Sequence, residues 1–183
     1  MDENLGDYYD LESYLFKTVN NKFKVDHYLN AADFFCIIIW KANRAKTTVI
    51  NRLKKKGDLD KYIKSLTSNI YKAHDMEEKL KIIMDKDKGG GFLLPMASAI
   101  LAVLYPNDFT VYDIRVCNSL ETDPSGEYHK LAHKTKFSEI WAGYQKFKNA
   151  VLEINPTNLS LRDKDRYLWG MSFKADLDKL LRS

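Results

Sequence analysis

The chain has 183 residues, 45% of them hydrophobic and 30% charged, with a net charge of +4. That is enough for one domain with a full core, or two small lobes sharing one, and it is not a disordered composition. The two cysteines, Cys36 and Cys117, lie in apolar surroundings, which excludes a four-cysteine iron–sulfur cluster or a cysteine-only zinc site and suits buried, reduced thiols.

The opening stretch, MDENLGDYYDLE, carries five acids and no base and has no apolar signal region. The longest apolar runs, ADFFCIIIW and FLLPMASAILAVLY, are too short to span a bilayer. Together these predict a soluble, cytoplasmic protein with no membrane partner. Leu11, Tyr14, Leu15 and Val19 then recur at helical spacing. Asn30 suits the N-cap of one long helix running through AADFFCIIIWKANRAKTTVINRLKK, apolar all round in its first half and basic in its second. Residues 41–56 hold seven bases and no acid, a pattern that serves either a solvated helix face or a phosphate-facing surface. Asp58 caps a short helix over DLDKYIKSL, and Leu80, Ile83 and Met84 mark another that the glycines at 89–91 end.

An apolar helix follows from about Pro95 to Tyr105, then a turn at PND, then a helix opened by Asp113. ETDPSGEYHKLAHKTK reads as a polar loop, and two long amphipathic helices, FSEIWAGYQKFKNAVLEI and SLRDKDRYLWGMSFKADLDKLL, complete the chain. FTVYD is the nearest approach to strand alternation and is short. The fold class predicted is an all-α bundle.

The chemistry concentrates in GGGFLLPMASAILAVLYPNDFTVYDIRVCN, where a lone carboxylate, Asp113, interrupts an apolar block. Aspartate is a favoured N-cap, so Asp113 serves its helix whatever else it does. A carboxylate in a partly apolar pocket also stabilises the positive charge that develops when an N-glycosidic bond breaks, and it orients an attacking water. The glycines admit two readings: a helix C-cap, or a loop whose N–H groups grip a phosphate. His129 and His133 are spaced for one helix face but lack a third ligand, so no metal or other cofactor is predicted. RDKDRYLW reads as surface ion pairs, with Arg162 or Arg166 as the sharper option of a phosphate contact. No phosphate-binding P-loop, nucleophile elbow or H-E-x-x-H motif is present.

The same block resembles the helix-hairpin-helix DNA glycosylases, the superfamily of endonuclease III, adenine glycosylase and 8-oxoguanine glycosylase. PMASAIL fits the start of the apolar helix after the family's L-P-G-V-G-x-K-T-A hairpin, and VYDIRV fits its V-D-x-H-V aspartate segment, with Arg115 in place of histidine. With Ala97 as the hairpin alanine, the family lysine falls on Pro95, 18 residues before Asp113, which is the family's interval. Gly91 keeps one hairpin glycine and Leu93 replaces the other; Pro95 forms no Schiff base.

The resemblance implies a single unit over 1–183 with two helical lobes and a cleft, one lobe over about 30–120 and the other from 1–29 plus 121–183. It implies Asp113 as the catalytic group, and DNA contacts from Gly89, Gly90, Gly91, Lys41, Arg44, Lys46, Arg115 and Asn43, the last at the position of a wedge residue. The expected reaction is monofunctional excision of a damaged or modified base from duplex DNA by activated water. Trp40, Trp141, Tyr112, Trp169 and Phe173 are candidates for lining the pocket of a flipped base. Lys86 and Lys88 are the near lysines in sequence. The alternatives are a glycosylase-fold module that binds DNA or protein without chemistry, and an all-α interaction domain with no nucleic-acid role.

Overall fold

A computed structural model describes residues 5–121, 123 and 125–182. The first four residues of the acidic opening, and Thr122 and Pro124 of the expected loop, lie outside the described residues. Among the described residues every regular element is helical. After a short 3-10 turn at Leu5–Tyr8, helix α1 (Leu11–Ser13) runs through a π-helical stretch (Tyr14–Val19) into α2 (Asn20–Asp26), which His27 closes in the left-handed region at φ 67°. Then come α3 (Ala31–Ala42), a 3-10 turn (Asn43–Ala45), α4 (Lys46–Lys54), α5 (Leu59–Lys72) and α6 (Met76–Met84). The chain ends with α7 (Leu94–Leu104), α8 (Ile114–Leu120), α9 (Glu127–Leu131), α10 (Phe137–Glu153) and α11 (Leu161–Arg182).

Local chemistry explains most boundaries. Asn30, Asp58 and Asp75 sit in extended conformation and accept an N–H from three residues on, each at 2.8 Å. These contacts satisfy donors that a helix start leaves open. Four expectations need correction: the short helix expected over 58–66 runs on to Lys72, and the helix expected to end at the glycines ends at Met84. The long helix expected over 31–55 breaks at Ala42, whose φ of −156° leaves the helical region, so the basic half folds as a separate α4. The loop expected at 121–136 contains α9, because the Glu121 carboxylate accepts the Tyr128 N–H at 3.0–3.1 Å and supplies the start that the sequence lacks.

The core is built around α7. Ala97 to Leu104 are all buried, which no amphipathic surface helix shows. Helices α3, α6 and α2 pack on it, and Asn20 donates to the carbonyls of Val103 and Leu104 at 2.7 and 3.0 Å, satisfying the end of the helix. Buried residues from 1–29, 30–120 and 121–183 belong to one connected apolar cluster.

Between α7 and α8 the chain is extended and buried: Phe109, Thr110, Val111 and Tyr112 are all at most 5% exposed. With no neighbouring strand, its backbone groups need other partners. The Tyr144 hydroxyl, from α10, accepts the Thr110 N–H at 3.0 Å and donates to the Thr110 carbonyl at 2.7 Å. The Ser98 hydroxyl, from α7, accepts the Tyr112 N–H at 2.9 Å.

Replacing Tyr144 with Phe keeps the ring packing and strands two buried backbone groups. It should lower unfolding free energy by about 1–3 kcal/mol in chemical denaturation, whereas a comparable change at the exposed Tyr167 should fall within about 0.5 kcal/mol.

Candidate functional site

The extended segment delivers Asp113 to the wall of a cavity of about 460 Å³. Asp113 is the N-cap of α8, and Oδ1 accepts the Arg115 N–H at 3.0 Å. Oδ2 is engaged separately by the ammonium of Lys41, from the last turn of α3. Both side chains are largely buried, 12% exposed for Lys41 and 23% for Asp113. Burial pushes the Asp113 carboxyl up, but the charge and hydrogen bond of Lys41, with the Arg115 amide, outweigh it and hold the group below its ordinary value. The carboxylate is therefore ionised at neutral pH.

Trp40, beside Lys41, forms one aromatic wall; Trp169 on α11 contributes another, and Val111 the apolar surface between. The remaining polar lining comes from Glu12, Arg162, Arg166 and Asp165. The cavity thus joins residues that the sequence spreads from position 12 to position 169.

Asp165 is the group that sequence reasoning missed. RDKDRYLW is only in part a run of surface pairs: Arg166 and Asp163 pair in the open at 3.5 Å, whereas Lys164 and Asp165 are buried, at 4% and 2% exposure. Lys164 reaches the Leu152 carbonyl near the end of α10, and Arg162 pairs with Asp165. Burial pushes the Asp165 carboxyl up to about 6, with Arg162 and Lys41 pulling it partly back. A signal was there to find. Leu161, Lys164, Asp165, Leu168 and Ser172 fall on one helical stripe, so the two leucines placed the charges between them on the buried side.

The other expected residues scatter. Lys41 lies on Asp113, because α3 ends beside the N-terminus of α8. Asn43, Arg44 and Lys46 are exposed on the turn after α3, with Lys46 donating to the Asn43 side chain at 2.7 Å. Arg115 points away from the cavity to α11, pairing with Asp176 at 2.7 Å and lying over the stacked rings of Trp169 and Phe173. Gly89 and Gly90 are buried. The Gly91 N–H donates to the Asp85 carbonyl at 2.8 Å, and its carbonyl accepts from Arg52 at 2.5 Å. At φ 61°, Gly91 takes the left-handed turn that joins α6 to α7, a conformation that favours glycine.

Of the aromatic candidates, Trp40 and Trp169 reach the cavity. Tyr112 is in the core, donating to the Tyr128 carbonyl at 2.6 Å; Trp141 packs beside Tyr144; and Phe173 stacks on Trp169. Lys86 and Lys88 are exposed near the 85–93 turn and do not line the cavity. His129 and His133 flank a shallow depression with Ile114 and Asn118. Among the described residues no group of three histidine, cysteine or acidic side chains is placed to hold a metal ion, and no helix is long and apolar enough to cross a membrane.

No family model matches this chain, and no curated protein or solved structure matches it either.

The Asp165 environment makes a signed prediction. A group whose value is raised from 3.8 to about 6 on folding binds its proton more tightly in the folded state. Its stabilising contribution is complete below about pH 4 and is lost as pH rises to about 6. The stability difference between the wild type and Asp165→Asn should therefore move against the wild type across that window, by up to about 3 kcal/mol, and be flat above pH 7. Denaturant unfolding at stepped pH reads it.

Proposed function

We propose that the protein binds DNA and excises a damaged or modified base, with Asp113 stabilising the sugar cation and orienting the attacking water. The observation that carries this reading is the double engagement of Asp113. A cap needs one carboxylate oxygen; here the other is taken by a lysine, and both residues line a cavity with aromatic walls. The cavity volume is within the range of small-molecule sites. The left-handed Gly91 turn, the apolar α7 and the 18-residue interval from Pro95 to Asp113 support the same reading from the sequence side.

In this mechanism a flipped nucleotide enters between Trp40 and Trp169, the base stacking on the rings. As the glycosidic bond lengthens, positive charge builds on the sugar, and the Asp113 carboxylate lowers its energy in a site where water is scarce. The Lys41 ammonium is the proton donor nearest that carboxylate. It suits protonation of the departing base, after which Asp113 takes a proton from the incoming water. The product is a free base and an abasic site.

A second reading has its own support. Lys41 neutralises Asp113 in the free protein, and a structural ion pair that also caps α8 needs no chemistry to explain it. Under that reading the protein binds DNA and leaves the base in place.

An excision assay on duplexes carrying damaged, mismatched or modified bases separates the two. Strand breakage that needs alkali, reduced at least about 100-fold in Asp113→Asn with duplex affinity within a few-fold of wild type, establishes the first reading. Duplex binding without product from any substrate establishes the second.

A further inference from the structure

Arg162 and Arg166 stand one turn apart at the start of α11, at the edge of the Asp113 cavity. Arg162 is fixed in place. Its guanidinium lies 4.7 Å from the Phe16 ring and 5.2 Å from the Trp40 ring, one nitrogen pairs with Asp165, and its buried Nε has no hydrogen-bond partner. The other terminal nitrogen of Arg162 and the Nε of Arg166 converge on a single oxygen, Oε1 of Glu12, at 2.9 and 3.3 Å. Two guanidinium groups aimed at one anionic oxygen form an arrangement suited to phosphate. Glu12 ends the stretch that opens the chain with five acids and no base.

We propose that Arg162 and Arg166 form a phosphate site at the mouth of the cavity, and that Glu12 occupies it as an internal substitute until a DNA phosphodiester displaces it. The exchange replaces one negative charge by another, so neither arginine is left unpaired and buried at any stage. Glu12 is 37% exposed and Arg166 60% exposed, so the carboxylate leaves toward water and the arginine follows the incoming group. Arg162 supplies the rigid half of the clamp. The inference rests on the reading of the cavity as a nucleotide site, since the occupant is the phosphate beside the flipped sugar. Free phosphate shares its chemistry, and the two sources are told apart by using both as probes.

The test measures a fluorescent duplex containing a stable abasic-site analogue, by anisotropy, and inorganic phosphate, by the thermal shift it produces. The proteins are wild type, Glu12→Gln, Arg166→Gln and the double variant. Removing the competing charge, 2.9 and 3.3 Å from the two arginines, should tighten both ligands about five-fold, and the gain should vanish in the Arg166→Gln background. A gain for inorganic phosphate alone keeps the anion site and removes DNA as its ligand, which separates this inference from the reading of the cavity. No gain for either ligand overturns the proposal and leaves Glu12 as a structural pair. An equal gain in the Arg166→Gln background also overturns it, because the effect is then one of net charge. Should Glu12→Gln not fold, Arg166→Gln decides alone: its side chain is mostly exposed, and unchanged phosphate binding would rule the site out.

Discussion

A buried segment with no strand beside it needs partners for its backbone groups, and residues 109–112 impose that demand on the rest of the molecule. The Tyr105 carbonyl takes the Phe109 N–H, and Tyr144 and Ser98, from two helices, meet the demand at Thr110 and Tyr112. Both are polar side chains placed where packing alone would favour apolar ones. The segment is therefore anchored at a defined depth and rotation, and Asp113 emerges from its end with one oxygen on the α8 amide and the other on Lys41. A loop held only by hydrophobic contacts would not fix a carboxylate so closely.

Charges are buried on α11 as well. The Asp165 side chain is desolvated, and a carboxylate there needs a cation. Arg162 provides it, and Phe16 and Trp40 cover the guanidinium. Lys164, on the same stripe, turns to a free carbonyl near the end of α10. These contacts rank low as sources of net stability, since desolvation offsets most of the attraction between buried charges. Their effect is to hold α11 against the Asp113 segment in one register, which brings Trp169 to the cavity.

Two carboxylates of one cavity are shifted in opposite directions. A lysine holds Asp113 below its ordinary value, while burial raises Asp165 to about 6. Divergent titration of neighbouring acids is a common mark of reaction sites, though ion-pair networks also produce it. The amine beside Asp113 comes from elsewhere in the chain: Lys41 reaches it from the end of α3. Beyond the cavity, α11 continues with Leu180 and Leu181 at 70% and 75% exposure, so its packed portion ends well before its last turn.

The sequence by itself determined the helical character of the chain, the caps at Asn30, Asp58 and Asp113, and the burial of the run after Pro95. Each of these is local: a cap or an apolar period is complete within a turn or two of helix. The position of Asp113 at a helix start and the glycine turn before α7 were legible for the same reason. The break at Ala42, the short helix α9, the pairing of Lys41 with Asp113 and the partners of Arg162, Lys164 and Asp165 were decided only by the tertiary structure. For the charges the partner is one that composition does not reveal: Asp113 for Lys41, the Leu152 carbonyl for Lys164, Arg162 for Asp165. The leucines of α11 mark which charges face inward, but only the fold supplies the groups that make their burial tolerable.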